Sequence, residues 1–237
     1  SPNFSDRIYW DGSDDVSLDE WLERIIPSQI SVEACSWIQV ANTNVQSKGY
    51  SNEKSYFKKE VCMPALNRIT KIINAGERVS TKEKDRCIQA LSETTIAQGY
   101  TTGKWMLYLA PEDVDEAWVN IARATANGML GCSAKISPAM ATTQDKILCC
   151  VYVKDFSCRE EVKRVLLALR HNLGFSVTCG FKPDFFTDLG IYTKNPWRLK
   201  PVLYKVNEVL ESNFTTLTTK AAQSEDSTIT SFLNKLA

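Results

Sequence analysis

Four basic side chains, Lys182, Lys194, Arg198 and Lys200, stand among Phe, Tyr and Trp in residues 181–204, FKPDFFTDLGIYTKNPWRLKPVLY. Interleaving of this kind suits flat, anionic ligands. The cations neutralise phosphate, while each ring that stacks on a base contributes about 1–3 kcal/mol. Trp197 is well placed for stacking, with Pro196 before it and Arg198 after it, although the same ring could pack a loop back onto a sheet. Trp10 and Trp37 also lie near irregular segments. Trp21, Trp105 and Trp118 fall on apolar stripes and are expected in the core.

Other chemistries find less support. The single His, His171, sits off the apolar stripe of its helix, a poor place for the base of a Ser or Cys triad. One His also rules out HxxxH and HExxH metal motifs, and no Gly-rich phosphate loop is present. The eight Cys include no CxxC and lie mostly in apolar segments, so buried reduced thiols are expected rather than a metal or redox site. Acidic clusters fall in loops or first helical turns, where the helix dipole accounts for them. Asp184 with Asp188 is the pair that a carboxylate-dependent nuclease or hydrolase would use. The expectation is a non-enzyme without cofactors or metal.

The elements that must position these residues follow from periodicity. Ser17 and Glu20 have capping-box spacing ahead of the stripe Leu18, Trp21, Leu22 and Ile25, and Pro27 stops that helix. Residues 32–40 read as a strand and 41–55 as a loop. Residues 57–98 are helical in two parts divided at Gly76, the second with a Ser80/Glu83 box. A strand over 104–109 precedes a helix opened by Pro111. Two strands over 129–136 and 146–153 precede a helix with a Ser157/Glu160 box, which ends at Gly174. Residues 175–181, 189–192 and 202–204 read as final strands. Neighbours in this order predict an α+β fold: a curved antiparallel sheet with helices on one face.

The domain is expected over 17–205, after an acidic segment 1–16. The Ser/Thr-rich tail 206–237 carries one helical face, Ile229, Phe232, Leu233 and Leu236. Lys+Arg and Asp+Glu balance at 28 each, so any nucleic-acid site must be a local patch. No apolar run has the roughly 20 residues of a membrane span, and residues 1–10 lack a signal-peptide core, so a cytoplasmic protein without membrane contact is expected.

Residues 103–124, GKWMLYLAPEDVDEAWVNIARA, and the 181–204 segment resemble the family of the basophilic leukaemia expressed protein. That family is eukaryotic and largely without assigned function, and the likeness spans residues 17–204. It is similar in fold to the messenger-RNA cap-binding translation initiation factors of the 4E type, whose ligand slot lies on the concave side of the sheet. Gly103–Trp105 looks like the factors' GRW strand, Thr193–Arg198 falls at their phosphate-side loop, and Trp37 stands for a clamping Trp. Upstream of Gly103, however, no second Trp occurs, and residues 133–140 offer Lys135 but no Arg. A methylated base needs a cation–π sandwich, so cap binding proper is not expected.

The resemblance implies a concave slot for a nucleotide or single-stranded RNA, bound by Trp37, Lys135, Lys182, Lys194, Trp197, Arg198 and Lys200. The alternative is a scaffold whose protein partner docks on the convex helices or the tail.

Overall fold

A computed structural model describes residues 7–13, 15–44 and 57–215. The helical face at Ile229–Leu236 lies outside the described residues. Six strands form one open sheet in the order β1-β2-β4-β5-β3-β6. These are β1 (Arg7–Trp10), β2 (Trp37–Ala41), β3 (Gly103–Leu109), β4 (Ser133–Ile136), β5 (Ile147–Val153) and β6 (Phe181–Pro183).

Successive side chains of a strand point to opposite faces, and here the division is sharp. One face carries Ile38, Val40, Trp105, Leu107, Ala134, Ile136, Cys149, Val151 and Phe181, all buried. Against it pack α2 (Met63–Asn74), α3 (Thr81–Ala97), α4 (Val114–Ala126) and α5 (Arg159–Leu167). Their inward residues, among them Leu66, Ile69, Leu91, Trp118, Ile121, Val162 and Val165, belong to the same hydrophobic cluster. Trp105 Nε1 donates to the Val162 carbonyl at 3.0 Å, which ties β3 to α5. The α+β architecture with helices on one face is therefore present.

Helix α1 (Leu18–Arg24) starts at the full Ser17/Glu20 capping box. At α3 the Ser80 side chain accepts from Glu83 N, but the Glu83 carboxylate turns to Arg68 and Arg86 instead. Ser157 does not cap α5. Its N–H and hydroxyl both donate to Asp155, a local turn that outcompetes the helix start, and Cys158 occupies the cap position.

Several expected boundaries shift. Within the segment expected to precede the domain, Arg7–Trp10 forms the edge strand β1 and Trp10 is buried. β1 pairs with β2 in parallel, since α1 carries the chain back between them, so the sheet is mixed rather than wholly antiparallel. β2 begins at Trp37 rather than at residue 32, and Val32 is exposed.

The three final strands shrink to β6 and one isolated bridge, Phe181 to Tyr204. Pro183 lacks a ladder donor, and the chain turns at once into α6 (Asp184–Asp188), which buries Phe185 and Phe186. Residue 190 is a Gly with φ of 76°, so residues 189–192 form a turn. The domain also runs past residue 205: Val206 and Val209 of α7 (Val206–Leu210) are buried, as is Phe214. Arg159 lies over the Tyr204 and Phe214 rings at 5.3 and 4.9 Å and fixes this last turn.

Candidate ligand-binding face

The opposite parity of the same strands builds a different surface. Cross-strand register aligns Ala41, Ser133, Tyr152, Lys104 and Lys182 in one lateral row, and Tyr9, Gln39, Lys135, Cys150 and Met106 in the next. Alternation leaves no choice here. Once Trp105 and Phe181 face the core, Lys104 and Lys182 must face away from it.

The charged groups touch rings along the whole face. The Lys135 ammonium lies 3.9 Å from the Trp37 ring centroid and 5.6 Å from that of Tyr152. Lys104 approaches Tyr152 from the other side at 5.5 Å, and Lys182 lies 3.9 Å from the Tyr192 ring. At the β1 edge, Arg7 sits 5.4 Å from Tyr9 and donates to Gln39 at 3.2 Å. Neighbouring strands are about 4.8 Å apart, so the four steps from β2 to β6 span about 19 Å.

The electrostatics follow from burial. Lys104 and Lys182 are 8% and 5% exposed. Lys104 pairs with Asp184 and approaches Thr187 Oγ1 at 3.3 Å. Burial pushes the Asp184 carboxyl above its ordinary range, a shift that the Lys104 charge opposes. Lys182 is pulled down to about 8, first by burial and then by the like charge of Lys104. The Cys150 thiol is pushed up to about 11 by burial, so it stays protonated near neutral pH.

Of the residues singled out from sequence, Trp37 and Lys135 are in contact, and Lys182 lies on the same face at its β6 edge. The remaining four stand on the loop that follows Tyr192. Trp197 is half-buried and packs against the core, the structural of its two readings. Lys194, Arg198 and Lys200 are exposed and make no ion pair among the described residues. Asn195 pins this loop by donating to the Tyr192 and Leu199 carbonyls at 2.7 and 2.8 Å. Sequence reasoning missed Lys104, Tyr152, Tyr192 and Arg7, although strand parity around Trp105 and Phe181 gave the signal for Lys104.

Asp184 and Asp188 each have a partner of their own. The first is held by Lys104 and the second accepts from the Tyr100 hydroxyl at 2.5 Å. His171 is exposed. Among the described residues no group of three or more His, Cys, Asp or Glu is arranged to hold a metal ion, and no helix is long and apolar enough to cross a membrane.

The Gly103–Trp105 strand, the helix that follows it and the KPD turn into α6 all lie within residues 7–190, which match the family model of the basophilic leukemia-expressed protein Bles03, and the chain belongs to that family.

Proposed function

We propose that this protein is a non-catalytic binding module that takes a nucleotide or single-stranded RNA on the face of its sheet opposite α2 to α5. The observation that carries the reading is the continuous alternation of cations and rings across that face, from Trp37 and Lys135 through Tyr152 and Lys104 to Lys182 and Tyr192. Stacking surfaces beside phosphate-neutralising cations are what sequence-tolerant binding of single strands requires. One face of the Trp37 indole is covered by the Lys135 ammonium, so a base stacks on the opposite face only. That geometry differs from the two-sided clamp a methylated cap needs.

Titration of tryptophan fluorescence at low salt with GTP, a cap analogue and a short RNA tests the reading. The expected result is quenching by RNA or GTP, with Trp37→Ala raising Kd between about 5- and 150-fold, the equivalent of one stacked base. Absence of quenching by all three ligands would sink it.

A groove of about 300 Å³ between α2 and α3, lined by Val61, Ala65, Ile69, Cys87 and Ala90, favours a protein partner as the second reading. Capture of a partner that survives nuclease treatment and Trp37→Ala, but not Val61→Glu, would support this second reading against the first.

A further inference from the structure

We infer that the β6 end of this face is a subsite for a terminal phosphate monoester, so that a bound nucleotide or RNA lies with its phosphate at Lys104 and Lys182 and its bases toward Trp37. The inference rests on the binding reading above.

Lys182 is 5% exposed and makes no hydrogen bond or ion pair among the described residues; its ammonium lies beside the Tyr192 ring. The carboxylate close by, Asp184, is taken by Lys104. Two largely buried lysines thus share one carboxylate. A buried charge without a counter-charge is costly, and an arriving anion removes that cost.

A ligand laid along the row meets the Tyr152 ring, Lys104 and Lys182 in order.

The row is a dead end at β6, which is why the anion must be terminal. β6 is the last strand in the sheet order, and Tyr192 lies against the Lys182 ammonium there. At the opposite side the face continues past Lys135 to Trp37, Arg7 and Tyr9, where cations and rings go on alternating. A chain of diesters therefore has an exit toward β1 and none past β6.

The test compares RNA octamers with a 5′-phosphate and a 5′-hydroxyl, and AMP with adenosine, on wild-type protein, Lys182→Met and Lys182→Arg. The expected result is at least a tenfold preference for the phosphorylated form. That preference disappears in Lys182→Met and persists in Lys182→Arg. A preference for phosphorylated RNA alone identifies the RNA end as the source, and one for AMP as well admits free nucleotide. Equal binding of both forms, or a preference that survives Lys182→Met, overturns the subsite and leaves the binding reading standing. If no ligand binds, both fall together.

Discussion

Lys182 is the residue on which burial and charge conflict most plainly. Its ammonium is pulled down to about 8, against an ordinary value of 10.5, by burial and by Lys104. A base whose folded pKa is depressed loses its proton more easily folded than unfolded. Between about pH 8 and 10.5 the unfolded chain therefore holds more protons, and this group's contribution to stability rises with pH. Below pH 8 both states are protonated and the full penalty is present. Lys182→Met is expected to stabilise the protein at pH 7 by about 1–3 kcal/mol and to flatten the rise above pH 8, as measured by urea denaturation across pH. The charged and titratable groups facing Lys182 are Lys104, Asp184 and Cys150. Cys150 stays neutral until about pH 11, so it does not confuse the window. A loss of stability in Lys182→Met would show that the ammonium already has a counter-charge.

Ligand affinity has the opposite dependence. Phosphate requires the protonated lysine, so affinity should fall as pH rises through 8, up to tenfold per unit.

At the scale of elements, the seam between β3 and β6 brings Lys104 and Lys182 together. The register pairs them directly, and Gly103 pairs with Pro183 beside them. A Cβ at Gly103 would overlap the Phe181 ring, a fully buried core residue that also packs edge-on to Trp105. Gly103→Ala is thus expected to cost about 1–3 kcal/mol in thermal or urea unfolding and to weaken RNA binding together with stability. An unchanged Tm would mean that the seam has slack.

Much of this level was legible in the sequence. Helices α1 to α5 and the strands β3 and β5 followed from periodicity and from Gly and Pro punctuation. The last strands did not, because 181–204 is rich in β-forming aromatics while its geometry is decided by Pro183, by Gly190 and by burial of Phe185 and Phe186 in a five-residue helix. β1 was hidden because four residues are too short to show a period and its pairing partner lies 30 residues away.

For the whole molecule, opposite charges cancel at 28 each, so long-range attraction of a polyanion is weak and the binding face must act locally. Three lysines meeting phosphate predict a slope of about −2 for log K against log salt with single-stranded RNA. A slope near zero would mean that the lysines serve the fold alone.

The candidate site was half-legible for a related reason. Sequence placed Trp37, Lys135 and Lys182 in it but chose Lys194, Trp197, Arg198 and Lys200 by density of basic and aromatic letters. Strand parity and register add Lys104 and Tyr152 to the face, from segments that look like plain core.

The central claim is that ligand meets the face of the sheet opposite α2 to α5. Ultraviolet crosslinking of bound RNA, with the adducts mapped by mass spectrometry, tests it most directly. The prediction is adducts on Trp37, Tyr152 or Tyr192 that are lost in the triple variant Lys104→Met, Lys135→Met, Lys182→Met. Adducts confined to α2, α3 or residues 193–200, or equally strong in the triple variant, would contradict it.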